Sequence, residues 1–289
     1  MTKKDMVLRL RKTRAFKKAY ADNSFMGGSQ LRPLRLQLEL LKTEVYLKRY
    51  KIEATLVLFG SARLHSKEDG LAKIKDLQKK IKRTPKNKEL KVKLEEAKAA
   101  AKNYKYYDIA RDFARLATEK SCLGGKKSVI VTGGGPGIME AGNRGAYDAG
   151  GKSIGLNITL PMEQGPNPYV SPELCFQFHY FAIRKMHFVM RSKALIVSPG
   201  GFGTFDEFFE VMTLIQTGKK RRIPIVLIGR KFWEDVFNMK NLVKYGVISK
   251  ADLNLFKYAK SGQEAWDIIA EFYAKNPIDK IKEEYEIED

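Results

Sequence analysis

Cysteine is scarce in this sequence, and long apolar segments are missing. Only Cys122 and Cys175 occur among the 289 residues, which gives neither a disulfide framework nor the ligand spacing of a zinc site. No apolar run approaches the roughly 20 residues that a membrane-spanning helix needs. The basic N-terminus has no apolar stretch of the kind found in secretory signals. We therefore expect a cytoplasmic protein without a metal.

Acidic residues are also few, and the imbalance is local. The chain has 54 Lys and Arg against 33 Asp and Glu, a net charge of +21. Residues 1–51 contribute 14 basic and 4 acidic residues, and residues 67–102 contribute 13 and 6. Such segments either track phosphate groups of a nucleic acid or form solvated helix faces. Nucleic acid is thus a candidate partner. The basic segments that would bind it do not contain the glycine-rich motifs of the chain.

Composition divides the chain into a basic extension, a main domain that contains an insertion, and a charged tail. Residues 1–52 form a basic extension, in which 1–27 look irregular and 31–50 have apolar residues at helical spacing. Residues 53–275 form the main domain, interrupted at 67–102 by a Lys-rich helical insertion with a break at Thr84-Pro85. A charged tail, residues 276–289, follows. The helical spacing in the extension rests on Leu34, Leu38, Leu41 and Val45.

The main domain alternates short apolar runs with amphipathic segments. The run at 54–63 predicts a strand that continues into a loop at Gly60-Ser61, and the other runs predict strands at 128–132, 153–160, 174–181, 193–198, 223–229 and near 254–258. Strands that are apolar on both faces and alternate with helices are typical of a parallel sheet covered on both sides. The predicted fold is therefore α/β: a Rossmann-like, doubly wound parallel sheet with helices on both faces, whose ligands bind at the carboxyl ends of the strands.

Two glycine-rich turns lie between a strand and a helix, VTGGGPGIM (131–139) and SPGGFGTFDE (198–207). Glycine lets a backbone approach a ligand closely, and a helix N-terminus attracts an anion. Gly200, Gly201, Gly203 and Thr204 therefore suit a phosphate cradle. Neither turn matches the lysine-containing loop of nucleoside triphosphatases or the dinucleotide-binding fingerprint.

Two carboxylates follow the second turn directly. Asp206 and Glu207 either complement the helix dipole or lie close to the sugar of a bound nucleotide, where a carboxylate can stabilise an oxocarbenium-like state and help to activate water. Arg184 precedes the strand that leads into this turn. It is either a surface residue or a partner that holds a phosphate or a carboxylate.

Three motifs together resemble one family. GGGPGIME (133–140), IRKM (183–186) and PGGFGTFDE (199–207) are similar, in order and spacing, to the cytokinin-activating nucleoside 5′-monophosphate phosphoribohydrolases, the LOG family, long mislabelled lysine decarboxylases. The resemblance covers about residues 53–275 outside the insertion. The pair Asp206-Glu207 replaces the usual Glu-Glu, and the segment IMEAGN resembles the longer bacterial branch.

The resemblance implies a function and a set of site residues. It implies hydrolysis of the N-glycosidic bond of a nucleoside monophosphate without a cofactor, by a homodimer or an assembly of dimers. The implied residues are catalytic Arg184 and Glu207, phosphate-binding Gly200, Gly201, Gly203, Thr204, Gly134 and Gly135, and substrate-contacting Lys185, Gly60, Ser61, Met139 and Asp206. Lysine decarboxylation is disfavoured because no lysine lies in a recognisable pyridoxal phosphate context. The alternative is a related protein that binds a nucleotide or a molybdopterin-type cofactor without turnover.

Overall fold

A sheet of apolar strands organises the larger part of the chain. The computed structural model describes residues 1–120, 122–123, 126–160 and 165–276. The predicted charged tail lies almost entirely outside these residues. The chain divides into two compact units, Met1–Val45 and the part from Tyr46 onward.

The strands and helices of the second unit alternate as predicted. Its strands are β1 (Ala54–Phe59), β2 (Cys122–Leu123), β3 (Lys126–Thr132), β4 (Ser153–Ile158), β5 (Cys175–Phe178), β6 (Ser192–Val197), β7 (Ile225–Ile228) and β8 (Phe256–Ala259). Helices are numbered from the N-terminus of the chain, and the first three begin before residue 46. The helices that follow are α4 (Lys67–Arg83), α5 (Lys88–Ala101), α6 (Lys105–Glu119), α7 (Ile138–Asp148), α8 (Phe181–Met190), α9 (Phe202–Gln216), α10 (Arg230–Val236), α11 (Met239–Lys244) and α12 (Gly262–Lys275).

The strand order reverses at β1. Within the described residues the order is β5-β4-β3-β1-β6-β7-β8, all parallel, while the short β2 pairs antiparallel with β3. Val57 of β1 lies opposite Val131 of β3 on one side and Leu195 of β6 on the other. This arrangement confirms the Rossmann-like, doubly wound fold, and the carboxyl ends of β3, β1 and β6 meet at the point where ligands bind in such sheets.

The two faces of the sheet carry separate cores. On β1, Leu56 and Leu58 belong to the core that includes α6, α7 and α12. Val57 and Phe59 belong to the core that includes α8, α9 and α10. Because successive side chains of a strand point to opposite faces, burial of the whole of β1 requires helices on both sides, as the unbroken apolar runs predicted.

The Lys-rich insertion forms two helices, as its apolar spacing predicted. Ser66 caps the N-terminus of α4, and Thr84 ends this helix directly before Pro85. Leu77 of α4 and Ala97 of α5 are buried, whereas the lysines of both helices lie mainly on exposed faces. Among the described residues, no helix has both the length and the apolar character that a bilayer crossing requires.

Some elements differ from the sequence prediction. The segment after β7, for which the sequence analysis specified no boundary, forms α10 and α11, because the Asn238 side chain accepts from the Lys240 N–H and starts a new helix. The last strand spans Phe256–Ala259 and not 254–258, because residues Lys250–Asn254 form a 3₁₀ helix behind a Ser249 capping box.

The first unit contains more regular structure than its sequence suggested. Its helices are α1 (Lys3–Arg11), α2 (Asn23–Met26) and most of α3 (Arg32–Arg49). A capping box between Thr2 and Asp5 starts α1, and the Arg35 guanidinium donates to the carbonyls of Met26 and Gly28, both at 2.7 Å. These local bonds order a segment with few apolar contacts.

The apolar residues used to predict α3 do not form a buried face. Leu34, Leu38, Leu41 and Val45 are exposed, while Thr43 is buried. Periodicity identified the helix but not the side that packs, because the spacing of apolar residues does not specify a packing partner. Binding of nucleic acid by the basic segments stays a prediction.

A buried amide holds the inner layers of the second unit together. The Asn143 Oδ1 atom on α7 accepts from Thr132 Oγ1 at 2.7 Å and from Asn167 Nδ2 at 2.9 Å. Its Nδ2 donates to Ser153 Oγ at 3.0 Å and to the Ile154 carbonyl at 3.3 Å. The side chain thus joins α7, β3, β4 and a loop, with every bond shielded from water.

Replacing this amide is expected to destabilise the domain. Asn143→Leu leaves buried donors and acceptors without partners, at a cost of at least about 2 kcal/mol in the free energy of unfolding. Gln263→Leu, on an exposed face of α12, is the matched control and is expected to change it by less than about 0.5 kcal/mol. Urea denaturation followed by circular dichroism measures both. Equal stability of the two variants would show that the network contributes little.

Candidate active site

Three loops meet at the carboxyl edge of the central strands. The Ser61 N–H donates to the Pro199 carbonyl at 3.0 Å, and the Ser198 N–H donates to the Phe59 carbonyl at 2.9 Å. The Ser61 carbonyl accepts from the Ile138 N–H at 3.0 Å. The loop after β1 is therefore bonded to the loop after β6 and to the start of α7, and Ser61 lies at their junction.

The first glycine-rich turn is fixed from within the protein. Gly137 has a φ of +71°, in the left-handed region that favours glycine. The Gly134 N–H donates to Thr132 Oγ1 at 3.0 Å, and the carbonyls of Gly134 and Gly135 accept from Asn167 Nδ2 at 3.0 and 2.9 Å. These polar groups already have protein partners, so the turn is a rigid wall of the site. Phosphate binding by these two glycines stays a prediction.

Arg184 lies in the first half of α8, beneath that turn. Its Nε donates to the Leu156 carbonyl at 2.7 Å, and its Cζ is 5.2 Å from the centre of the Phe188 ring. A Cβ atom built on Gly133 would lie 2.6 Å from Arg184 Nη2 and 2.7 Å from Met139 Sδ. A side chain at position 133 would therefore require the guanidinium and the thioether to move from these positions.

Glu207 is a buried carboxyl group on α9. Only 7% of the residue is exposed. Burial raises the pKa of Glu207 to about 7, against the opposing effect of the positive charges of Lys185 and Arg184. Burial also lowers the pKa of Arg184, and the charge of Glu207 acts against this change. The two side chains therefore influence each other's charge, and Glu207 titrates near neutral pH.

Lys185 connects the two helices that carry this pair. Its Nζ is 2.8 Å from Asp206 Oδ2 and 3.1 Å from Glu210 Oε2. Burial acts to lower the pKa of Lys185, but its bonds to these two carboxylates outweigh burial and raise it. The lysine holds α8 against α9 on both sides of Glu207, so in this structure Lys185 and Asp206 bind each other.

The second glycine-rich turn leaves open space at the start of α9. A Cβ atom built on Gly201 or Gly203 would meet no atom within 4 Å, and Phe202 between them is 96% exposed. Thr204 is buried, and its N–H donates to the Gly201 carbonyl at 2.9 Å. This helix N-terminus offers N–H groups and a positive dipole end to an anion.

The structure brings most of the predicted residues to one edge of the sheet. Gly60 serves packing there: a Cβ atom on it would lie 2.6 Å from Ile138 Cγ2.

Sequence reasoning missed Glu210, Asn143 and Asn167. Glu210 is three residues after Glu207 and so on the same helix face, which is a usable signal. No local sequence pattern pointed to Asn143 or Asn167, because their hydrogen-bond partners are distant along the chain.

Comparison with known proteins agrees with these motifs. A family model described as "Possible lysine decarboxylase" matches residues 139–269, a range that includes both Arg184 and Glu207. The "Probable cytokinin riboside 5'-monophosphate phosphoribohydrolase LOGL3" of Oryza sativa subsp. japonica is 25% identical over 178 residues, 58% of this chain and 77% of the rice protein. The "Cytokinin riboside 5'-monophosphate phosphoribohydrolase LOG2" of Arabidopsis thaliana is 22% identical over 174 residues, 59% and 78%.

Over these ranges the chain is similar to members of the LOG family. Solved structures to which the chain shows a similarity include the molybdenum cofactor binding protein of Rippkaea orientalis, with 19% identity, a TM-score of 0.42, and coverage of 58% of this chain and 87% of that one. The molybdenum cofactor carrier protein of Chlamydomonas reinhardtii has 16% identity and a TM-score of 0.45, covering 77% and 99%. Scores this low give no information about the ligand or reaction of this chain.

The raised pKa of Glu207 predicts a pH-dependent stability. A carboxyl group whose pKa rises on folding favours the folded state below its unfolded value and loses that contribution as pH rises toward its folded value. Glu207→Gln removes this effect, so the variant's stability relative to the wild type should increase by about 2 kcal/mol from pH 5.5 to pH 8.5. Urea denaturation at the two pH values measures the change.

Glu271→Gln on the exposed surface of α12 serves as control for that comparison. The exposed carboxylate of Glu271 has its pKa lowered by its bond to Lys275, so the control should show no gain at high pH. An equal pH response of the two variants would mean that Glu207 is already ionised well below neutral pH.

Proposed function

We propose that this protein hydrolyses the N-glycosidic bond of a purine nucleoside 5′-monophosphate, giving the free base and ribose 5-phosphate. The observation that carries the proposal is the position of Glu207. It is a buried carboxyl group whose charge interacts with the positive charges of Arg184 and Lys185. It lies one turn into a helix whose N-terminus is open to an anion. The names of the rice and Arabidopsis relatives support the same reaction.

The phosphate defines where the sugar lies. Bound at Gly201, Gly203 and Thr204, it receives N–H groups and the positive end of the α9 dipole. Glu207 follows three residues after Thr204 on the same helix, so the ribose of a nucleotide held there extends toward the carboxyl group. A nucleoside without the phosphate loses this anchor.

Glu207 then supplies the chemistry. Departure of the base leaves positive charge on the anomeric carbon, which an ionised carboxylate stabilises. The same carboxylate accepts a proton from the attacking water. A pKa of about 7 suits this task because a general base is most effective when its pKa is close to the working pH. The water oxygen bonds to the sugar carbon, the carbon–nitrogen bond breaks, and the base leaves with a proton.

Arg184 acts next to the carboxylate. Its Nε is already bound to the Leu156 carbonyl, which fixes the orientation of the guanidinium and leaves its other N–H groups for the substrate or for Glu207. Arginine keeps its charge even when burial lowers its pKa, so it remains a stable counter-charge for an anion. A lysine at position 184 lacks the planar guanidinium that can bind the Leu156 carbonyl and the substrate or Glu207 at the same time.

Product release tests the proposal directly. The panel is AMP, isopentenyl-AMP, GMP, CMP, UMP and adenosine, with free base measured by chromatography. We expect release from at least one purine monophosphate, little from adenosine, and a loss of at least about 100-fold in Glu207→Gln. Glu271→Gln is expected to match the wild type. Binding without release in the folded protein would instead support a nucleotide- or molybdopterin-type cofactor-binding protein.

The proposal includes a homodimer in the cytoplasm. Phe181 and Met186 on α8 and Phe202 at the start of α9 are exposed apolar side chains close to the site, and exposed apolar groups often mark a surface that another chain covers.

Light scattering after gel filtration is expected to give twice the mass of the chain, 32.9 kDa. Phe181→Lys is expected to shift the mass toward one chain, because a charge buried in an apolar interface is costly. Val92→Lys, an exposed position on α5, is the control. A single-chain mass for the unaltered protein would contradict this part of the proposal.

A further inference from the structure

The positive charge of the first unit lies at its N-terminal end. Residues 3–18 contain eight Lys or Arg and one acidic residue, Asp5, and every residue of this range is exposed. Within this fully described range, Arg14 is the one cation with a partner in an ion pair, Asp22 Oδ2 at 3.7 Å. The other seven cations are therefore available to an anionic partner that carries several charges.

Aromatic rings lie next to these cations and are open to solvent. Phe16 is 63% exposed and Tyr20 is 73% exposed. The Lys18 Nζ atom lies 5.9 Å from the centre of the Tyr20 ring. Proteins that bind single-stranded nucleic acid use this combination, because cations follow the phosphates while aromatic rings stack on the bases.

Asp22 fixes the segment that carries the two rings. Its Oδ1 atom accepts from the Ser24 N–H at 3.1 Å and from the Phe25 N–H at 3.2 Å, and its Oδ2 atom faces Arg14. Asp22 is itself buried. Positions 16 and 20 lie between Arg14 and Asp22, so both rings belong to a loop that is closed before any partner binds. A loop ordered in advance loses less conformational entropy on binding.

The Lys-rich insertion does not share these features. Residues 67–102 contain no Phe, Tyr or Trp. Lys80, Lys93 and Lys98 each lie within 2.8 Å of a carboxylate on their own helix. Cations that alternate with acidic partners in this way are typical of a solvated helix face. The two basic segments of the chain therefore differ in what they can bind.

Two other partners suit the first unit less well. A helix that lies on a membrane needs its apolar side chains on one face, whereas the exposed apolar residues of α1 include the consecutive Met6, Val7 and Leu8. A second copy of the unit carries the same charge, since residues 1–45 contain 11 Lys or Arg and 4 Asp or Glu. Two such surfaces repel each other.

We propose that residues 3–25 bind a single-stranded nucleic acid, with the cations along its phosphates and the rings of Phe16 and Tyr20 stacked on its bases. Phosphates and base faces are common to RNA and DNA, so this segment accepts strands of both. The interaction is independent of the hydrolase reaction proposed above, because it uses no residue of the candidate active site.

Fluorescence anisotropy of 3′-labelled oligo(U) and oligo(dT), each about 20 nucleotides long, tests the proposal. The strands carry a 5′-hydroxyl group, so that no terminal phosphate can enter the nucleotide site. We expect the logarithm of the binding constant to fall linearly with the logarithm of the salt concentration. Phe16→Ala/Tyr20→Ala is expected to weaken binding by about tenfold or more with the salt slope unchanged. Lys17→Ala/Lys18→Ala is expected to make that slope less steep by about 1.4.

Lys79→Ala/Lys82→Ala, which removes two exposed lysines of α4, is the matched control and should leave affinity and slope unchanged. Thermal unfolding followed by circular dichroism establishes that all variants are folded. Absence of binding at about 50 mM salt overturns the proposal, and so does equal weakening in the two lysine variants.

Two further outcomes would identify a different kind of surface. If a duplex binds as tightly as the single strands and loss of the two rings has no effect, the segment responds only to phosphate charge, and the proposal is wrong. Vesicles of phosphatidylserine and phosphatidylcholine are the remaining probe. Ring-dependent binding to these vesicles, without binding to either oligonucleotide, would assign the segment to a membrane surface and overturn the proposal.

Discussion

The pairing of β1 with β3 on one side and β6 on the other is the constraint on which the site depends. Because all three strands are parallel, their carboxyl ends lie at one edge, and the loops that leave them turn toward opposite faces of the sheet. The backbone bonds that join Ser61 to Pro199 and to Ile138 are a consequence of that reversal. The helices that follow β1 and β3 pack on one face and the helix that follows β6 packs on the other, so the crevice opens between β1 and β6.

Burial of charge shifts the pKa values at the candidate site and has a cost in the stability of the fold. Glu207 loses solvation that its neighbouring cations only partly replace, and its pKa rises for that reason. The positive charge of Lys185 limits this cost, and the same ammonium group binds Asp206 and Glu210 on α9. The carboxyl group stays buried because the surrounding helices are fixed by their own cores. The aromatic side chains of Phe188 and Phe208 supply that support.

The polar network around Asn143 has a related role at the first glycine-rich turn. It fixes Thr132 and Asn167, and these two residues hold Gly134 and Gly135. The turn consequently brings Gly133 so close to Arg184 that a Cβ atom there would displace the guanidinium from its present position. The position of the arginine thus depends on an amide in another helix, and the rigidity of the site is a property of the packed domain, not of its loops.

The alternation of apolar runs and amphipathic segments determined the fold class, since strands that are apolar on both faces require helices on both sides. The glycine-rich turns and the residues Arg184 and Glu207 were likewise visible in the sequence as local patterns. Tertiary structure alone decided what each residue touches. Leu34 and Leu38 have helical spacing yet lie exposed, and Lys185 binds Asp206. Spacing along a chain records which side chains share a face, whereas burial and charge coupling arise only when remote segments pack together.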